Sequence, residues 1–62
     1  MLITARTPSG ETVRQVATCD PERAFRWMGE YYSLIEEGTV TLELADSHAR
    51  PSRVIAEAVV RR

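Results

Sequence analysis

One segment of this chain, residues 21–37, limits the possible folds more than any other because both its ends and its surface pattern indicate a helix. Asp20 is a favourable N-cap residue, and Pro21 suits the first helical position. Gly38 follows the segment, and a glycine in the left-handed conformation commonly ends a helix. We therefore predict a helix over residues 21–37, about which the rest of the chain must fold.

The apolar side of this predicted helix is wide and contains every aromatic residue of the chain. On a helical wheel, the middle of the apolar side consists of Ala24, Met28, Tyr31 and Ile35. Its two edges are formed by two pairs, Phe25 with Tyr32 and Trp27 with Leu34. The apolar arc spans about 180°, whereas a helix needs roughly 100° to cover a sheet. Either both edges are covered by the rest of the fold, or one edge stays exposed as a binding surface.

The residues before the helix have the composition of a β-hairpin. Residues 2–7 are rich in β-forming residues, and the turn-forming residues 8–10 separate them from a second strand over 11–18. Val13 and Val16 cannot lie on the same face of a regular strand, so we expect either a bulge or an early strand end there.

The residues after the helix predict one clear strand and one ambiguous segment. Residues 39–44 alternate between polar and apolar, as in a strand covered on one face, and residues 45–51 are typical of a loop. Residues 52–62 fit a helix with one charged line, or a strand with two mostly apolar faces, which would suit a position inside the sheet. Because alanines and charge spacing favour the helix, we predict a single small α+β domain over 1–62. An antiparallel sheet covered by one central amphipathic helix would have the order ββαβα, with ββαββ as the alternative.

The chemistry that the chain can support is narrow. Cys19 is the only cysteine, which excludes an intramolecular disulfide and fits a reducing, cytoplasmic location. We expect it to be a small buried hydrophobic residue at a strand end, with a reactive thiol before the helix as the alternative. His48, the only histidine, is too close in sequence to Asp46 and Ser47 for a catalytic triad. We therefore predict no catalytic residue, metal site or cofactor, and a protein that is not an enzyme.

All eight basic residues are arginines. The absence of lysine and asparagine is typical of GC-rich genomes and favours a bacterial or phage origin. Without lysine, the chain has neither a Schiff-base nucleophile nor a P-loop lysine.

Nucleic-acid binding is the alternative function that the arginines suggest. Arg6 and Arg14 could share a face of the hairpin, and four more arginines follow in the tail: Arg50, Arg53, Arg61 and Arg62. Residues 50–59 resemble the second helix of a ribbon-helix-helix repressor, but residues 45–49 are too few for the helix that precedes it in that family. A net charge of −1 and a pI near 5.7 also argue against a strong phosphate-binding surface.

The first-ranked functional hypothesis is a non-enzymatic protein–protein interaction module that acts by docking or homodimerisation, in a regulatory or accessory role. Chains of this size bury only roughly 60% of their unfolded surface, so contact with a partner would add stability. Trp and Tyr are residue types that concentrate binding energy at interfaces. The predicted partner-binding residues are those at the helix edges: Trp27, Leu34, Phe25 and Tyr32.

Overall fold

The computed structural model describes residues 1–44 and 53–62, which form a four-stranded antiparallel sheet with one helix packed on it. The elements are β1 (Leu2–Arg6), β2 (Thr12–Ala17), α1 (Pro21–Leu34), β3 (Glu37–Leu44) and β4 (Arg53–Arg61). Because the strand order is β2-β1-β3-β4, the two edges of the sheet are β2 and β4. The predicted α+β class is confirmed, and the order is the alternative one, ββαββ.

The start of α1 follows the prediction. Asp20 has extended backbone angles, and its Oδ1 accepts a hydrogen bond of 3.1 Å from the backbone nitrogen of Glu22. This bond satisfies one of the amide groups that a helix leaves unpaired at its start. Pro21, which has no amide hydrogen to satisfy, occupies the first turn.

The predicted end of α1 at residue 37 is wrong, because the helix ends at Leu34. Ile35 is already extended, with φ −102° and ψ 147°, and its side chain is buried in the core. Glu37 and Gly38 belong to β3, where they pair with β4. Pairing with β4 therefore places Glu37, which the local pattern assigns to the helix, in a strand.

Gly38 is required in a strand rather than at a helix end. Its φ is +139°, which L-residues with side chains rarely adopt. A Cβ at this position would overlap the backbone oxygen of Arg6 at the end of β1. Glycine therefore permits the close approach of β1 to the start of β3.

The predicted C-terminal helix is also wrong, because residues 53–61 form β4 and pair antiparallel with β3. Four β-branched residues favour this outcome, since their side chains fit a pleated surface better than a helix: Val54, Ile55, Val59 and Val60. In addition, β3 would be an edge strand without β4. Pairing with β4 satisfies the backbone groups on that side of β3.

Two bulges interrupt the strand pairing. Ala5 pairs with Arg14 and Arg6 pairs with Thr12, so that Val13 has no partner in β1. This confirms the bulge expected in the second strand. A second irregularity leaves Ile55 of β4 unpaired with β3, whereas residues 56–61 pair in regular succession.

The hydrophobic core lies between α1 and one face of the sheet, which we call the covered face. Its buried apolar residues are Ile3, Ala5, Ala24, Ile35, Val40, Leu42 and Val60. None of these is aromatic; Trp27 and Tyr31 are half-buried and pack against the edge of the core. Two of the predicted central residues, Ala24 and Ile35, are therefore core, while Met28 and Tyr31 border it.

The opposite face of the sheet, which we call the open face, is polar. Thr4 and Thr41 are buried there because longer side chains lie over them. Gln15 Nε2 donates to Thr4 Oγ1 at 3.1 Å, and Arg6 Nη1 donates to Thr41 Oγ1 at 3.0 Å. Arg6 Nη2 also lies 3.7 Å from Glu43 Oε1. Hydrogen bonds thus satisfy the polar groups at the centre of this face.

Candidate interaction surface

The two edges of α1 differ in how far the fold covers them. Phe25 and Tyr32 form one edge and are 61% and 43% exposed. On the other edge, Trp27 is half-buried against the core, whereas Leu34 is 59% exposed. The fold therefore covers one of the predicted binding residues in part and leaves three of them in solvent.

The edge formed by Phe25 and Tyr32 lies on the β4 side of the helix. Arg62 directly follows β4, and its guanidinium carbon is 5.2 Å from the centre of the Tyr32 ring. Arg62 Nη2 also donates to the backbone oxygen of Tyr32 at 2.6 Å. Phe25 lies two helical turns before Tyr32 on the same edge. The helix itself packs mainly on β1 and β3, and the contact with Arg62 places the Tyr32 end of this edge toward β4.

Gly29 leaves a position without a side chain between Phe25 and Tyr32 on this edge of the helix. It follows Phe25 by four positions and precedes Tyr32 by three, so all three residues lie on one side of α1. Apart from its two chain neighbours and the adjacent backbone of α1, no atom of the described residues comes within 4 Å of the position that a Cβ would occupy at Gly29. The fold itself therefore supplies no packing reason for a glycine at this position.

The exposed apolar residues gather on the same side of the molecule. Among the described residues there are seven exposed large hydrophobic side chains. Five of them lie on β4 or on the adjacent helix edge: Phe25, Tyr32, Val54, Ile55 and Val59. We call these five residues the β4-side surface. The other two, Val13 and Leu34, are separate from it in the fold.

Charged side chains on β4 accompany this apolar surface. Glu57 pairs with Thr41, Val59 with Thr39 and Arg61 with Glu37, so all three β4 residues project on the open face. All three are exposed. Within residues 1–44 and 53–62, neither Glu57 nor Arg61 forms an ion pair. The edge strand therefore presents an acid, an apolar residue and a base in a row.

The arginines of the alternative hypothesis do not gather on one face. Arg6 and Arg14 lie on opposite faces of the hairpin, since Arg14 pairs with Ala5 and not with Arg6. The expectation that they share a face is wrong, because the bulge at Val13 changes the register beside them. Arg61 lies on the open face, Arg53 pairs with Leu44 of the covered face and Arg62 contacts Tyr32. Arg50 lies outside the described residues.

The residues considered for chemistry are not assembled into a site. Cys19 is exposed in the bend between β2 and α1, so the expectation of a buried thiol is wrong. His48, with the predicted loop around it, lies outside the described residues. Across the described ranges, no group of three or more His, Cys, Asp or Glu residues is placed to hold a metal ion.

A cleft of about 180 Å³ lies at the end of the sheet where β3 begins and β4 ends. Its lining consists of Pro8, Glu37, Gly38, Thr39, Val59, Val60 and Arg61. Pockets for small-molecule ligands usually enclose roughly 300–1,000 Å³. The cleft is thus smaller than a typical ligand site, and part of it lies against β4.

The sequence predictions missed Glu57 and Val59 as surface residues of interest. The reason is that a helix over 52–62 places Glu57 in a solvated charged line and Val59 on the buried side. The strand alternative for residues 52–62 would have indicated exposed apolar side chains, because it gives the segment two largely apolar faces. An edge strand can bury only part of these faces within its own sheet.

No family model, curated protein or solved structure was found to match this chain. The helix within the described residues is neither long nor apolar enough to span a membrane.

Proposed function

We propose that this protein is a non-enzymatic interaction module that binds another protein chain through the β4-side surface. One observation carries the proposal: five of the seven exposed large hydrophobic residues of the described chain lie on β4 or the adjacent helix edge. These residues border the β4 edge from both faces of the sheet, since Val54 and Val59 lie on the open face and Phe25 and Tyr32 lie on the helix above the covered face. Exposed apolar residues grouped on small soluble domains commonly mark interaction sites.

The composition of the surface supports a protein partner. Phe25 and Tyr32 supply large, stiff rings, which are enriched at the centres of protein interfaces. The backbone of β4 adds an unpaired strand edge beside them. An aromatic edge and an open strand together are suited to a partner that is itself a polypeptide.

The small core gives the interaction a second role. Within residues 1–44 and 53–62, seven apolar residues are buried, and two of them are alanines. Domains of this size are marginally stable without disulfides, metals or partners. Covering the β4-side surface would remove further apolar area from water, so binding should stabilise the fold.

The proposal predicts that Phe25→Ser weakens partner capture, whereas Leu34→Ser does not. The two residues make a matched pair because both are apolar, lie on α1 and are about equally exposed, at 61% and 59%. Only Phe25 belongs to the β4-side surface. The tagged wild-type chain and both variants are used to capture partners from a lysate of the source organism, with and without nuclease treatment. Far-UV circular dichroism checks that both variants are folded.

A capture lost in the Phe25 variant alone, and resistant to nuclease, supports the proposal. Equal capture by all three chains would contradict it. Capture abolished by nuclease would instead favour the arginine-based nucleic-acid hypothesis.

A further inference from the structure

We propose that the polypeptide bound at the β4-side surface is a second copy of this chain, paired antiparallel through β4 about a twofold axis at Val59. The inference rests on the proposed function, since it assigns an occupant to that surface. The two four-stranded sheets would join into one continuous sheet.

Of the two sheet edges, β4 is the better one for pairing. Each edge strand has a bulge, at Val13 in β2 and at Ile55 in β4, but the regularly paired run is six residues in β4 (56–61) and four in β2 (14–17). Bulges and short edge strands are features that discourage strand addition. Residues 56–61 of β4 pair regularly with β3, so their outer backbone groups are evenly spaced for another strand.

The sequence of β4 is nearly symmetric. From Arg53 to Arg61 it reads RVIAEAVVR, with arginine at both ends, β-branched residues inside them and Glu57 between two alanines. Antiparallel pairing of identical strands brings together residues from opposite directions along the sequence. This symmetry is centred on Glu57, so an axis at Glu57 would place similar residues opposite each other, including the two Glu57 side chains.

Symmetry limits the possible registers. Two antiparallel edge strands in one sheet are related by a twofold axis perpendicular to the sheet, and such an axis keeps every side chain on its original face. Side chains directly opposite each other must share a face. The axis must therefore lie at a residue that is directly opposite the same residue of the second copy. Each choice of this central residue defines one register.

Charge selects among these registers. An axis at Glu57 would place the two Glu57 side chains opposite each other, and like charges in that arrangement are destabilising. An axis at Val59 places Glu57 of each copy opposite Arg61 of the other, which forms two equivalent ion pairs around a Val59–Val59 contact. An axis at Ile55 would place Glu57 opposite Arg53, but Ile55 is the bulged residue. Val59 is thus the centre that combines regular pairing with opposite charges.

The same axis brings the aromatic edges together. Because it is perpendicular to the joined sheet, both helices lie on the same face of that sheet. The edge of α1 with Phe25 and Tyr32 lies on the β4 side in each copy, so the two edges face each other across the junction. One arrangement therefore pairs residues 57–61 of the two β4 strands and places both aromatic edges on the same face of the joined sheet.

A charge exchange tests this register because Glu57 and Arg61 cannot pair within one chain. They are four residues apart on one strand, a separation of about 13 Å. Glu57→Arg places two arginines opposite each other at each pair, and Arg61→Glu places two glutamates there. The double variant restores opposite charges between copies. Arg61 also lies opposite Glu37 of its own chain, and the double variant does not restore that arrangement.

The association is measured by sedimentation equilibrium on the wild-type chain, both single variants and the double variant. Arg14→Glu on the other sheet edge is the control, and circular dichroism with urea unfolding checks the fold of each. We expect a wild-type dimer of twice 7.0 kDa, a dissociation constant raised about tenfold or more in each single variant, and recovery in the double variant. The Arg14 variant should associate like the wild type.

Three results would overturn the inference. A wild-type chain that stays monomeric up to about 1 mM rules out self-pairing as a stable state; capture of another protein that depends on Phe25 would still support the proposed function. A dimer that neither single substitution weakens uses another surface. Single variants that dissociate without recovery in the double variant show that Glu57 and Arg61 do not face each other.

Discussion

Gly38 and Gly29 show how the same residue type has opposite roles at two positions. At Gly38, a side chain would meet backbone atoms of Arg6 and would have to adopt a φ of +139°. At Gly29, the helical conformation suits any L-residue, and the space for a Cβ is empty. One glycine is needed for the sheet to form, whereas the other weakens the helix.

Substitution of these glycines by alanine should therefore have effects of opposite sign. We expect Gly38→Ala to lower the free energy of unfolding by about 2 kcal/mol or more, through strain and overlap with the backbone. Gly29→Ala should raise it by about 0.5–1 kcal/mol, because alanine is the better helix former. Urea unfolding followed by circular dichroism measures both. A Gly38 variant as stable as the wild type would show that β1 and β3 do not approach as described.

At the level of elements, β4 is best tested with two neighbouring valines. Val60 is fully buried on the covered face opposite Gly38, while Val59 is 56% exposed on the open face. In a helix, consecutive residues differ by only 100° in direction, whereas in a strand they point to opposite faces. The difference in burial is thus a direct consequence of strand geometry.

Truncation of each valine to alanine should change the free energy of unfolding by different amounts. We expect Val60→Ala to destabilise the chain by about 2 kcal/mol, since it removes packed methyl groups from the core. Val59→Ala should change the free energy of unfolding by no more than about 0.5 kcal/mol, as is usual for surface positions. Unfolding by urea at low protein concentration provides the comparison. Equal losses in the two variants would contradict the placement of β4.

The elements that could be predicted are those with local causes. The start of α1 depends on Asp20 and Pro21 alone, and the alternation of residues 39–44 identifies a strand without knowledge of its neighbours. The state of residues 53–61 depends instead on whether the far side of β3 needs a partner. Gly38 is equally suited to ending a helix and to a close strand contact, so the end of α1 could not be placed from it.

The helix part of the candidate surface could also be predicted, because it depends on a local pattern. The helical wheel identifies Phe25, Tyr32, Trp27 and Leu34 as edge residues, because that depends only on helical periodicity. Which of them the fold covers depends on the position of α1 above the sheet. The contribution of β4 could not be predicted while its residues were assigned to a helix.

For the whole molecule, the proposed association would be coupled to stability. The buried apolar set is small, and the β4-side surface leaves further apolar area in water. A ligand that binds only the folded state raises its stability, and in the proposed dimer a second copy is such a ligand. The melting temperature then depends on protein concentration, which it does not for a monomer that unfolds in two states.

We expect the melting temperature of the wild-type chain to rise with its concentration. The Glu57→Arg variant should show little dependence over the same range, because it associates weakly. Differential scanning calorimetry at several concentrations gives both curves. Parallel, flat curves for the two chains would show that association does not contribute to stability.

The bulge at Val13 sets a limit on how many chains can join. If both outer strands of the sheet accepted a neighbour, each added copy would offer a new edge, and growth would continue into fibres. Here the strand that is regular along its outer residues is β4, and two copies joined through it have only bulged β2 strands at the ends of the combined sheet. In the proposed dimer, the extra residue in the hairpin would therefore disfavour growth beyond two chains.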